Sequence, residues 1–433
     1  MRFAIVIALA LLPLRAVAAV EVQDVTSPGG INAWLVEEHS IPFVALEVRF
    51  RGGSALDAPG KRGAINLMTG LLEEGAGELD ARGFAEATEA LAARFSYRVF
   101  DDALSISAQM LTENRDAAVA LLKSSIVMPS FEPSAVERVR EQVLAGIRSD
   151  ATEPDSIAGD RFYALAFGDH PYGSDRNGTL ESVAALTRGD ILDAHARVFG
   201  RDRIYVAAVG DINAAELGEL LDELLGGLPQ TATALPDHAG YDLPAGGETV
   251  VPFDTPQSVA LFGHVGITRD DPDYMAAYVA NEIFGGSGFE ARLMEEVREK
   301  RGLTYGIGSF LAPSDFAELI LGSVRSDNSK VAEAIEVIRA EWARMANEGV
   351  TAEELADAKT YLTGAYALRF DGNAPIAKIL VGMQMADLPI DYIRTRNAEI
   401  EALTLEEVNR VAARIYDPEA LHFVVVGQPM GLE

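Results

Sequence analysis

Residues Leu186–Ile212 read LTRGDILDAHARVFGRDRIYVAAVGDI, and residues Leu403–Pro429 read LTLEEVNRVAARIYDPEALHFVVVGQP. The two segments stand 217 positions apart and share one pattern: Ile191 matches Val408, Arg197 matches Arg414 and Gly210 matches Gly427. Earlier pieces pair at offsets that drift by a residue or two. PFVALEVRF around Val44 matches TPQSVALFGHV around Val259, and a helix at Asn114 matches one at Asn328. Self-similarity at a fixed offset marks a duplicated structural unit, so the chain reads as two tandem copies of one domain.

Between the copies, Leu228–Gly247 holds three prolines and three glycines, which is linker composition. Within the first copy, Val44, Leu46, Val48 and Phe50 alternate with Ala45, Glu47 and Arg49, the pattern of a half-buried strand, and Leu104, Ile106, Ala108 and Met110 do the same. Ala64, Leu67, Met68, Leu71 and Leu72 recur at spacings of three and four and predict a helix that Gly75 can cap. Alternating strands with one solvated face, mixed with helices, favour an antiparallel sheet with helices on its other face, the α+β class.

The N-terminus, MRFAIVIALALLPLRAVAA, has an early Arg, an apolar stretch from Phe3 to Leu14 and small residues Ala16-Val17-Ala18, the form of a secretory leader. Its apolar part is about a dozen residues, short of the ~20 that span a bilayer. The expected division is a signal peptide at 1–18, an N-terminal half at 19–230, a linker at 231–246 and a C-terminal half at 247–433. The expected location is periplasmic or secreted, with no membrane insertion after leader cleavage.

Lys and Arg number 36 against 66 Asp and Glu, a formal net charge of −30, which repels phosphate backbones and anionic headgroups and argues against nucleic-acid partners. With no cysteine, thiol nucleophiles, disulfides and thiolate metal sites are excluded. The six histidines, His39, His170, His195, His238, His264 and His422, form no H-x-x-x-H pair and read as surface or satisfied-core residues. Gly285, Gly286 and Gly288 complete no phosphate-loop motif and read as a turn between helices. GFEARLMEEVREKRGLTYGIGSF, Gly288–Phe310, carries more. Leu293, Met294 and Val297 form a helical stripe that Gly302 can end, and Leu303–Phe310 reads as extended. Arg298, Lys300 and Arg301 complement the helix dipole, while an Arg on the last turn and Tyr305 at the next strand can converge as a fixed cation and a phenolic donor.

These residues and the duplication resemble the pitrilysin/insulinase family of zinc metallopeptidases, which includes mitochondrial processing peptidase and the core proteins of the respiratory bc1 complex. The resemblance implies two α+β domains facing across a peptide-enclosing chamber. The family's zinc motif has the form G-x-A-H-F-L-E-H-M-L-F-K-G-T, and the corresponding stretch here is GAINLMTGLLEEGA, Gly63–Ala76. Asn66 and Gly70 stand at the two histidine positions, Thr69 at the general-base Glu, and Gly146 where the third, carboxylate ligand is expected. None of these is a good zinc donor, so no metal or other cofactor is expected in this chain. The family's His170-Pro171-Tyr172-Gly173 landmark and the second-half Arg298/Tyr305 pair are kept, with Arg301 one turn away as the other candidate arginine. Retention of one half-site looks like the non-catalytic subunit of a heterodimeric endopeptidase, inactive alone. A homologous partner with intact H-x-x-E-H would bring the zinc, and Arg298 and Tyr305 would complete its site on unfolded peptides. The alternative is a structural scaffold or assembly subunit without a catalytic part, like the bc1 core proteins. If the chamber wall shares the acidic charge, basic or neutral peptides are expected to be favoured.

Overall fold

A computed structural model describes residues 21–286 and 290–432; the leader expected at 1–18 lies outside the described residues, as does Gly288. The first half contains strands β1 (Gln23–Thr26), β2 (Asn32–Glu37) and β3 (Phe43–Arg51), helix α1 (Ala64–Gly70), and a two-residue hairpin of β4 (Gly75–Ala76) and β5 (Leu79–Asp80). Then come α2 (Ala81–Ala90), β6 (Arg94–Val99), β7 (Ala103–Leu111), α3 (Arg115–Val127), α4 (Pro133–Asp150) and α5 (Pro154–Phe167). It closes with α6 (Leu180–Ala184), α7 (Arg188–Val198), β8 (Ile204–Gly210) and α8 (Ala214–Leu225). The second half runs β9 (Glu248–Pro252), β10 (Gln257–Val265), α9 (Tyr274–Gly285), a π-helical turn (Met294–Glu299), β11 (Thr304–Pro313) and β12 (Glu318–Asp327). It ends with α10 (Val331–Glu348), α11 (Ala352–Tyr366), α12 (Asn373–Met385), α13 (Tyr392–Ala402), α14 (Leu405–Ile415) and β13 (His422–Gly427).

The duplication appears as one wiring used twice. The first sheet has the order β1-β2-β8-β3-β7-β6 and the second β11-β12-β10-β13-β9. Superposing β3 on β10 therefore puts β8 on β13, β2 on β9, β7 on β12 and β6 on β11. The β2/β8 and β9/β13 pairings are parallel and the others antiparallel, so the chain is α+β with two mainly antiparallel sheets. The quoted repeat is the unit of α7 and β8, or α14 and β13. Its Thr187 and Thr404 are N-caps in matching capping boxes, accepting from the backbone N–H of Asp190 and Glu407. Gly210 and Gly427 end the strands at φ 140° and 152°; a Cβ on Gly210 would sit 2.2 Å from the Phe43 carbonyl oxygen, so only glycine fits there.

The sheets differ from expectation in one respect. Neither has a solvated second face along its central strands, because each half sends one helix across to the other. Helix α12 of the second half packs on β3 and β8, and α5 of the first half packs on β10 and β13. In β8, Val206 and Ala208 point into the first half's core while Ala207 and Val209 meet Ile376, Ala377, Leu380 and Val381 of α12. In β13, Phe423 and Val425 face the second core, and Val424 and Val426 meet α5 around Phe162, Ala166 and Ala158. Burial on both faces explains why these two strands read as unbroken apolar runs. The polar alternation of β3 misled because Glu47, only 2% exposed, lies beneath α12, where Arg51 donates to the Met385 carbonyl.

The crossing is fastened by a polar seam. Tyr172 donates its hydroxyl hydrogen to Asp102 and accepts from the Phe316 N–H at 3.2 Å; Asp102 also accepts from the Asp315 N–H at 3.1 Å, and Arg51 pairs with Asp315 at 3.0 Å. His170 accepts from the Tyr172 N–H and reaches the Asp237 carbonyl, so the His-Pro-Tyr-Gly stretch is a joint between the halves. The 231–246 segment lies on this seam, with Ala239 N–H donating to the Phe316 carbonyl and Asp242 N–H to the Ala166 carbonyl.

Truncating Leu380, which is fully buried, removes contacts that belong to both halves. Leu380→Ala is expected to cost about 2–5 kcal/mol in urea unfolding. It should also reduce amide-exchange protection in β8, more than a hundred residues away in sequence. Full protection of β8 in the variant would mean that α12 does not support the first sheet.

Candidate functional site

The helix expected to carry a zinc motif is present and carries none. Asp57 builds it: its carboxylate accepts from the N–H groups of Gly63 and Ile65, both at 2.9 Å, and so satisfies the first turn of α1. Arg62 stands 3.5 Å away and ties the same turn to the Ser54 and Ser174 carbonyls. Burial dominates the electrostatics and pushes the Asp57 carboxyl up to about 6 despite these donors. On α1, Thr69 is buried with its hydroxyl donated to the Ile65 carbonyl at 2.7 Å, Asn66 is half-buried, and Gly70 is exposed. A Cβ on Gly70 would lie 3.1 Å from Val139 of α4, so the two helices have closed toward each other where a histidine would need room. Gly146, further along α4, is exposed. The donor set does not fit a zinc ion, and among the described residues no group of three or more His, Asp or Glu side chains is arranged to hold any metal.

The histidines are engaged elsewhere. His264 accepts from the Trp342 indole N–H at 3.1 Å in the second core, and His195 and His422 contact the Ile126 and Gly246 carbonyls at 2.7 Å. His39 pairs with Asp211 and Glu37, and His238 with Glu318.

Arg298 and Tyr305 are brought to one cavity. The turn before it differs from the expected α-helix: Met294–Glu299 is π-helical, with Lys300 N–H donating to the Glu295 carbonyl at 2.9 Å, and π-turns are found disproportionately at functional sites. Gly302 ends it in the left-handed region at φ 60°. The wide turn separates the two candidate arginines. Arg301 folds back onto Glu296, contacting its carbonyl and carboxylate at 2.7 Å each, whereas Arg298, paired with Glu299 at 3.2 Å, lines a cavity of about 440 Å³ together with Tyr305.

Tyr305 reaches that cavity because β11 is irregular at its start. Thr304 pairs with Ser326 and Ile307 with Val324, leaving one extra residue in β11, a bulge of the kind that re-aims a side chain. The Thr304 hydroxyl stabilises it, donating to the Arg325 carbonyl at 2.6 Å and accepting from the Gly306 N–H at 3.1 Å. Tyr305 is left 86% exposed. Behind it, β11 is held to α9 by a buried amide–serine pair, Asn281 donating to the Ser309 carbonyl at 3.0 Å and accepting from the Ser309 hydroxyl at 2.8 Å. Sequence reading missed Arg325 and Lys330, which line the same cavity; Arg325 also pairs with Asp155 at the start of α5. The alternation of Val324, Arg325 and Ser326 is a signal that could have marked Arg325 as outward, but it cannot show that Arg325 meets the other half. The arrangement offers cations and a phenolic donor to a carbonyl or oxyanion; Glu299 and Asp327 line the same cavity, Glu299 paired with Arg298 and Asp327 accepting from the Ser329 hydroxyl.

Two family signatures match the chain in tandem: Insulinase (Peptidase family M16) over residues 33–180 and the Peptidase M16 inactive domain over 185–362. The chain belongs to the insulinase family, peptidase family M16. Among its relatives, the non-peptidase homolog YmxG of Helicobacter pylori is 26% identical over 396 residues, 90% of either chain. An uncharacterized zinc protease of Mycobacterium leprae is 27% identical over 419 residues, 93% of this chain and 91% of the relative. The crystal structure of a peptidase M16 inactive domain from Pseudomonas fluorescens superposes with a TM-score of 0.89 at 26% identity, covering 95% of this chain and 99% of that one.

Two outcomes follow for this half of the molecule. Equilibrium dialysis of the purified chain against zinc should leave no stoichiometric metal. The Asp57 carboxyl, raised from 3.8 to about 6, is bound more tightly to its proton in the folded chain, so its contribution to stability is full below about pH 3.8 and is lost as pH rises toward 6. Asp57→Asn should therefore flatten the pH dependence of the urea midpoint between those values, and an unchanged slope would show that this carboxyl does not titrate there.

Proposed function

We propose that this M16 chain is the non-catalytic subunit of a heterodimeric zinc endopeptidase, working outside the cytoplasm on unfolded peptides. The observation that carries the reading is the asymmetry of the two half-sites: Arg298 and Tyr305 share an open cavity, while Asn66, Thr69, Gly70 and Gly146 occupy the metal and base positions. A bulge that exposes Tyr305 beside Arg298 favours a working role over a remnant, since bulges recur beside functional sites. The partner would be a homologue with intact H-x-x-E-H that holds the zinc, and this chain needs no cofactor. The name of the H. pylori relative, a non-peptidase homolog, fits a chain that is inactive alone. The leader-like Met1–Ala18 supports a periplasmic or secreted location.

In the complex, the peptide would add as a strand to an exposed sheet edge. β6 and β11 are the available outer strands nearest the sites. The Tyr305 hydroxyl would then donate to the oxyanion developing on the scissile carbonyl, and Arg298 would hold a carbonyl on the peptide's C-terminal side. A donor of this kind is worth about 10²- to 10³-fold in turnover.

The test is reconstitution. The chain alone should cleave nothing, and mixing it with an H-x-x-E-H homologue should give chelator-sensitive peptidase activity. Tyr305→Phe should lower kcat of the mixture by about 10²-fold or more with little change in complex formation. Full activity in both Tyr305→Phe and Arg298→Ala would leave only the scaffold role.

A further inference from the structure

A second cavity lies away from Arg298 and Tyr305 and has the opposite character to the molecule as a whole. It is about 410 Å³, set among α9, α11, α12 and α13. Its charged wall is Arg269, Arg369, Lys378 and Arg396, with no Asp or Glu among its lining residues, in a chain whose acids outnumber its bases 66 to 36. Four tyrosines interleave with these cations: Tyr274 and Tyr278 from α9, Tyr366 from α11 and Tyr392 from α13.

The inner cations are held in place without counterions. Arg396 is only 5% exposed, and its N–H groups donate to the Leu362 carbonyl at 3.2 Å and the Asn397 side-chain oxygen at 3.1 Å, both neutral acceptors. Its guanidinium lies 4.3 Å from the Tyr366 ring centre and 5.8 Å from that of Tyr278. Arg269 lies 4.2 Å from the Tyr274 ring centre and reaches the Tyr392 hydroxyl at 3.4 Å. Rings fix the guanidinium planes and leave N–H edges to face a ligand. Asp271 and Asp273, close to Arg269 in sequence, are committed to Arg410 and Arg414, and neither they nor Asp270 line the cavity. Glu47, whose field reaches Lys378, accepts from the Ser107 hydroxyl and sits 3.6 Å from Arg49. Burying a guanidinium against neutral partners alone is costly, and an anion in the cavity would offset that cost.

The cavity also adjoins the proposed peptide path. Tyr274 and Tyr278 line a neighbouring cavity of about 590 Å³ that follows Gly306–Leu311 of β11, the strand that begins at the Tyr305 bulge. Met275, Ile379, Met383 and Leu388 give the cationic cavity an apolar floor for the group that carries the charge.

We infer that this cavity is a binding site for a carboxylate carried on a peptide next to an apolar residue, its charge received by Arg269 and Arg396 and its entrance flanked by Arg369 and Lys378. This rests on the peptide-binding reading above, and it makes the acidic chain selective for peptides with a correctly placed negative group.

The test is calorimetric titration of the chain, without its partner, using one hydrophobic-ended peptide in three forms: free C-terminal acid, C-terminal amide, and amide with Glu as the penultimate residue. N-acetylphenylalanine and its amide serve as small probes. The free acid, or the Glu peptide if a side chain is the natural source, should bind about tenfold or more tightly than the plain amide, and Arg269→Gln should abolish that preference. Because Arg269 is half-buried and its variant could fail to fold, the exposed Arg369→Gln and Lys378→Gln pair provides the same test, with circular dichroism as control. Equal binding of all three peptides overturns the carboxylate site while sparing the peptide-binding reading. Arg269-dependent binding of N-acetylphenylalanine with no peptide bound supports the site and sinks that reading. Absence of binding by every carboxylate overturns the inference.

Discussion

The structure depends on a reciprocal exchange of helices. β8 and β13 are apolar on both faces, and the helices of their own half cover only one. α5 and α12 cover the others, each lent to the opposite half, so burial that would otherwise be left exposed is completed only when both copies are present. The hydrophobic gain is shared, and neither core is complete on its own. This fixes the relative placement of α1 and β11, the elements on which the two half-sites are built.

Polar groups then sharpen what burial makes possible. At the seam, Asp102, Asp315, Arg51 and Tyr172 form one connected set, and burial raises the carboxyls of Asp102 and Asp315, the latter to about 6. Buried networks of this kind specify a single arrangement because a slipped one would leave donors and acceptors unmatched. The His-Pro-Tyr-Gly landmark belongs to this network through Tyr172 and so persists for a reason independent of catalysis. Arg325 with Asp155 extends the same logic to the rim of the Arg298 and Tyr305 cavity, which thereby senses both halves.

Charge is distributed unevenly within a strongly acidic molecule. Helix α1 is held at its first turn by Asp57 and Arg62, with α4 packed beside it. Arg269, Arg369, Lys378 and Arg396 gather in one cavity with tyrosines of α9, α11 and α13. A uniform acidic wall selecting basic peptides is therefore too simple a picture of the interior.

The sequence by itself determined the duplication, the α+β class and the termination at Gly302, because each is written in local residue type or in a repeat between distant segments. It did not determine that Glu47 would be buried, that Arg298 and not Arg301 would stand with Tyr305, or that Arg269 and Arg396 would share a wall with four tyrosines. Those outcomes depend on which helix crosses to which sheet, on one extra residue at the start of β11 and on a turn widened to the π form. Some are set by packing between segments more than a hundred residues apart and others by local irregularities that residue type alone does not encode, and only the tertiary structure could decide them.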